Sequence, residues 1–145
     1  MRRMMGPVAI ALVLAACGSD GEPENGGVSP TVPAVVRPSS PAELAIVEPA
    51  AGASVGQDVT VVIDLQEAEI IEEVSTDLDP REGHMHLKLD GETITILGGL
   101  EERLADLVGG TLEPGPHLLE AEFVAADHGP FEPRVVATVN FTVEG

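Results

Sequence analysis

Two of the chain's four histidines stand at i and i+2 in the stretch Gly83-His84-Met85-His86-Leu87-Lys88-Leu89-Asp90-Gly91. Its alternation is that of a β-strand, with Met85, Leu87 and Leu89 on one face and His84, His86 and Lys88 on the other. Two imidazoles on one strand face have a spacing a metal ion can use, and neutral imidazoles with one carboxylate suit Zn²⁺ or Cu²⁺. The remaining histidines, His117 and His128, flank the next strong strand, residues 117–126. The Asp90-Gly91 pair reads as a hairpin turn, because glycine tolerates the positive φ of a tight primed turn.

The elements around this stretch are short strands parted by Gly and Pro turns. Residues 44–47 form a first strand stopped by Pro49, and residues 58–65 alternate strongly. A short strand over 68–72, an acidic loop over 75–82 and a β-rich run over 93–96 follow. Leu100, Leu104, Leu107 and Val108 recur at helical spacing before Gly109-Gly110, predicting one short helix near 100–108. Leu119, Ala121, Phe123 and Ala125 then point inward with Glu120 and Glu122 outward, and a loop over 127–133 leads to a last strand, 135–143. By the same parity Phe123 and Phe141 are core residues, and Phe131 falls in a loop. The pattern predicts an all-β, antiparallel sandwich of about seven strands over residues 42–145.

The opening Pro49-Ala50-Ala51-Gly52-Ala53-Ser54-Val55 resembles the Pro-x-x-Gly-x-x-Val pattern of bacterial immunoglobulin-like domains. The run from Gly83-His84-Met85-His86 through Pro114-Gly115-Pro116-His117 to Ala126-Asp127-His128 is similar to a largely uncharacterised family of such domains on bacterial secreted proteins and lipoproteins. That resemblance implies an immunoglobulin-like fold and transfers no activity. In such a fold the third strand pairs antiparallel with the penultimate one. His84 and His86 at the start of one would then meet His128 at the end of the other, with Asp127, Asp77, Asp79 or Glu82 available to complete a metal shell. The plainer alternative is that the histidine pair hydrogen-bonds loop carbonyls and fixes the connection. Met85 faces the core and is packing rather than a copper ligand. His117 stands where antibody-type domains carry their tyrosine corner, which favours a structural hydrogen bond to nearby backbone over a metal role.

Catalytic patterns are missing from the sequence. There is no Gly-x-Ser-x-Gly elbow and no phosphate-cradling glycine loop before a helix. Gly83-His84-Met85-His86 faintly resembles the Gly-x-His-x-His strand of copper–zinc superoxide dismutases, but that site needs more histidines than four and a disulfide that one cysteine cannot make. Carboxylates are plentiful enough for glycoside hydrolysis, yet Trp and Tyr, the usual sugar-stacking platforms, are absent. The reading is therefore not an enzyme.

The amino terminus carries an address. Arg2 and Arg3 precede a short apolar run that ends in Leu14-Ala15-Ala16-Cys17. This resembles a bacterial lipoprotein signal, which implies cleavage after residue 16 and lipid on Cys17, the sole cysteine. An ordinary secretory signal would leave Cys17 unmodified, and both place the mature chain outside the cytoplasm. Residues 17–41 are rich in Pro, Gly and Ser and read as a linker, reaching at most about 75 Å at about 3.1 Å per residue. Loss of Arg2 and Arg3 leaves five basic against twenty-five acidic residues, a net charge of −20. Such a chain is repelled by nucleic acid and by anionic head groups, and its acidity serves solubility. The expectation is a lipid-anchored, non-enzymatic module of the cell envelope. It would meet the membrane through Cys17 and an envelope protein of unknown identity through its loops, or would bind copper or zinc through His84, His86 and His128.

Overall fold

The computed structural model describes residues 36–145, and for residues 95–97 the backbone alone. Cys17, the signal segment and the first part of the linker lie outside the described residues. Within them the chain is an immunoglobulin-like sandwich of two sheets. One sheet holds β1 (Glu43–Glu48), β3 (Thr60–Gln66) and β7 (Glu101–Arg103), in the order β1-β3-β7. The other follows the order β2-β9-β8-β5-β4, from β2 (Ser54–Val55), β9 (Pro130–Val143), β8 (Gly115–Ala125), β5 (Glu82–Leu89) and β4 (Glu69–Ile70). β6 (Glu92–Leu97) also pairs with β5. Pairing is antiparallel except for the two-residue contacts of β2 with β9 and of β4 with β5.

The long strands form because their alternation buries one face. Met85 and Leu87 of β5, Leu119, Ala121, Phe123 and Ala125 of β8, and Val139, Phe141 and Val143 of β9 pack against Val61 and Ile63 of β3. Asp90 and Gly91 carry φ of 54° and 89° at the turn joining β5 to β6. Both residues thus adopt the left-handed conformation that a primed turn needs, and the Asp-Gly signal marks that turn correctly.

Three sequence expectations change. The helix α1 spans only Leu104–Val108, and Glu101–Arg103 are the strand β7, paired with β3 from Thr60↔Arg103 to Val62↔Glu101. An edge strand of the smaller sheet was available to be filled, and backbone pairing overrode the helical spacing that begins at Leu100. The linker ends earlier than residue 41. The Glu132 backbone N–H donates to the Pro38 carbonyl at 2.9 Å, and the Ser40 hydroxyl donates to the Pro80 carbonyl at 2.6 Å. Residues 37–40 are therefore docked on the domain.

The third change concerns Phe131, which lies in the core. β9 begins at Pro130, and residues 131–134 bulge between the pairs Phe123↔Val135 and Val124↔Pro130. The bulge drops the Phe131 ring into the core, 1% exposed and stacked on Phe123 at 5.4 Å between centroids. Two prolines in five residues hide a strand that a bulge makes tolerable, because a bulged residue needs no ladder partner. We expect Phe131→Ala to cost about 3–5 kcal/mol in chemical denaturation, as for a buried phenylalanine elsewhere. A loss under about 1 kcal/mol would return Phe131 to the surface loop.

Candidate functional site

The histidines sit where the register of β5 against β8 puts them. The pairs run from Gly83↔Ala125 and His84↔Val124 through His86↔Glu122 to Leu89↔Leu119. This antiparallel register sets the start of β5 beside the end of β8 and the turn that follows. Gly83 makes the approach possible, because a Cβ there would overlap the Val124 carbonyl oxygen. The turn that carries His128 is tight: the His128 N–H donates to the Ala125 carbonyl at 2.8 Å and the Ala125 N–H to the Gly129 carbonyl at 2.9 Å. His128 holds φ of 61°, a left-handed conformation a histidine rarely adopts.

The structure brings His84, His86 and His128 together. The His84 and His128 rings are stacked, with centroids 4.1 Å apart and planes 11° from parallel. His86 Nε2 lies 3.1 Å from His128 Nδ1, one ring donating to the other. His84 is buried, and its Nε2 donates to the Ala126 carbonyl at 3.2 Å. A carbonyl oxygen only accepts, so this nitrogen carries its proton and is closed to a metal ion. Burial first, then the neighbouring His128, push the His86 pKa below the ordinary imidazole value against the pull of Glu122.

Asp127 does not join the histidines. Its carboxylate makes a two-pronged pair with Arg37, at 2.6 Å to Nη1 and 2.8 Å to Nη2, and also accepts the Gly129 N–H at 2.9 Å. Arg37 holds its pKa down to about 2. Arg37 further donates to the Pro130 carbonyl at 2.7 Å, so one guanidinium fastens the docked segment to both sides of the histidine turn. The expectation that Asp127, Asp77, Asp79 or Glu82 completes a metal shell fails for Asp127, because the cation that claims it lies ninety residues away in the proline-rich segment. Among the described residues, no three His, Cys, Asp or Glu side chains are arranged to hold a metal ion.

Beyond His86 the same sheet face carries a charge network that alternation alone does not reveal. Glu122, opposite His86, is buried, yet its oxygens accept from Arg134 at 2.6 and 2.7 Å and from Lys88 at 3.2 Å. Lys88 also reaches Glu120 at 2.8 Å. The Arg134 contact, more than that from Lys88, holds Glu122 below the ordinary carboxylate range against its burial. A buried carboxylate so engaged is a structural pair rather than a free ligand.

His117 lies apart from the other three. Its Nε2 donates to the Glu113 carbonyl, four residues upstream, at 2.8 Å, and its Nδ1 to Asp90 Oδ2 at 2.7 Å. Asp90 Oδ1 accepts the Leu118 N–H at 2.8 Å, so this corner ties the β5–β6 turn to β8. Both ring nitrogens face acceptors, which favours the imidazolium. The Glu113 carbonyl raises the His117 pKa most, desolvation opposes it, and Asp90 adds to the rise. A raised folded-state pKa contributes stability that is full below the unfolded value, about 6.5, and fades as pH rises through the folded value. The stability lost in His117→Gln should therefore be larger in urea denaturation at about pH 5.5 than at about pH 9. A gap that stays constant or widens with pH would contradict this assignment.

No protein-family model matches the chain, and no curated protein does. Among solved structures it is similar to the fibronectin(III)-like modules of Clostridium thermocellum CbhA, at 12% identity and a TM-score of 0.43, over 70% of this chain and 95% of that one. The fold assignment accordingly stands on the strand order and register of the chain itself.

Proposed function

We propose that the chain is a non-enzymatic, immunoglobulin-like binding or structural module of the cell envelope, anchored outside the cytoplasm to a bacterial membrane by lipid on Cys17. The observation that carries this reading is Leu14-Ala15-Ala16-Cys17 after a short apolar run, with Cys17 the only cysteine. Several acyl chains on one residue give stable anchoring where a single chain gives marginal binding. The non-catalytic part is supported by the way polar groups at the face are used. Glu122, Asp127 and His117 are each bonded by partners within the domain. The grooves among the described residues are open rather than enclosed, and one of about 300 Å³ is lined by Glu67, Ala68, Glu69, Asp79, Arg81 and Glu82. A second reading, copper or zinc binding by the same module, is favoured by one observation, the approach of His86 Nε2 to His128 Nδ1 at 3.1 Å.

Expressed in a bacterial host, the full chain should take up a clickable palmitate analogue and partition into the detergent phase, and Cys17→Ala should lose both properties. A Cys17→Ala chain that still partitions with detergent, or a wild-type chain that takes up no label, would contradict lipid anchoring.

A further inference from the structure

We propose that His86 Nε2 and His128 Nδ1 form a two-point chelate for Zn²⁺ or Cu²⁺, with the His84 ring as the platform that orients His128 and not as a ligand; this rests on the copper-or-zinc reading. The two nitrogens stand 3.1 Å apart. Two imidazole nitrogens at 2.0–2.1 Å from a tetrahedral ion are separated by about 3.3–3.4 Å, so the pair stands near chelating distance, and both rings turn to aim their lone pairs at an ion beside the line that joins the nitrogens. His84 is excluded twice. Its Nε2 proton is given to the Ala126 carbonyl, and its ring lies parallel to that of His128. Imidazole lone pairs lie in the ring plane, so two rings in face contact and 11° from parallel do not aim at one point, whereas the His86 and His128 rings, 23° from parallel with centroids 5.3 Å apart, meet through their nitrogens. What the stack does is fix the plane of His128, whose backbone is already set at a positive φ.

The turn is fixed from outside as well. Asp127, adjacent to His128, is gripped by Arg37, which also holds the Pro130 carbonyl. The two ligands therefore come from separate strands with their distance preset, and the ion would staple the start of β5 to the β8–β9 turn. His86 and His128 are both part-exposed, so the other coordination positions open toward solvent, where water or a donor from another molecule completes the shell. Imidazole donors select zinc or copper over calcium or magnesium, which prefer oxygen.

The test uses residues 17–145 with Cys17→Ser, which keeps the chain soluble and removes a competing thiol. It is titrated calorimetrically with Zn²⁺ and with Cu²⁺ in excess Ca²⁺, which occupies surface carboxylates. We expect one equivalent to bind, with affinity reduced more than about tenfold in His86→Asn and in His128→Asn. Asparagine at 128 tolerates the left-handed backbone. His117→Gln, at a corner apart from the pair, should stay within about threefold of the parent. X-ray absorption of the parent zinc complex, which depends on no variant folding, should count two imidazoles. Absence of stoichiometric binding in the parent overturns both the chelate and the copper-or-zinc reading. Binding that survives loss of His86 and His128, or that shows three imidazoles, overturns this ligand assignment and leaves the metal reading standing.

Discussion

The antiparallel pairing of β5 with β8 is the constraint on which the rest of the domain depends. Its register sends Met85, Leu87, Leu119, Ala121, Phe123 and Ala125 into the core on one face. On the other it lines up His84, His86, Lys88, Glu120 and Glu122. A slip of one residue would exchange these two sets, burying histidines and charges and exposing Met85 and Leu87. Two features guard against it. Gly83 lets the strands meet at one end, and Asp90 locks the other by accepting from His117 and Leu118.

The polar groups on the other face of that pairing satisfy one another. Glu122 lies between Arg134 and Lys88, Asp127 lies in the fork of Arg37, and His84 is committed to the Ala126 carbonyl. Buried charges are tolerable on such terms because removing either partner would strand the other in a poor dielectric. The contact between His86 and His128 differs in kind. It joins two part-exposed rings directly, nitrogen to nitrogen.

Much of this was legible in the chain itself, and the failures have a common cause. The alternation from His84 to Leu89, combined with the pairing rule of the fold, was enough to put His84 and His86 beside His128. The Asp90-Gly91 turn and the inward faces of β8 and β9 followed from local chemistry. What alternation cannot show is a partner distant in sequence. Arg37 sits in a proline-rich segment whose composition reads as tether, so its claim on Asp127 was invisible. Phe131 stands between two prolines, and only a bulge closed against Pro38 allows that segment to be strand. The orientation of the imidazoles was equally out of reach, since parity places side chains on a face and says nothing of which nitrogen meets which atom.

The central claim is that two of the three clustered histidines are paired for an ion while the third serves them. Long-range ¹⁵N–¹H spectra of the four imidazoles, recorded without metal and with one equivalent of Zn²⁺, test it most directly. The expected result is His84 protonated on Nε2 and His117 unmoved by the ion, with zinc moving only His86 Nε2 and His128 Nδ1. A zinc-induced shift at His84 Nε2, or none at His86 and His128, would contradict it.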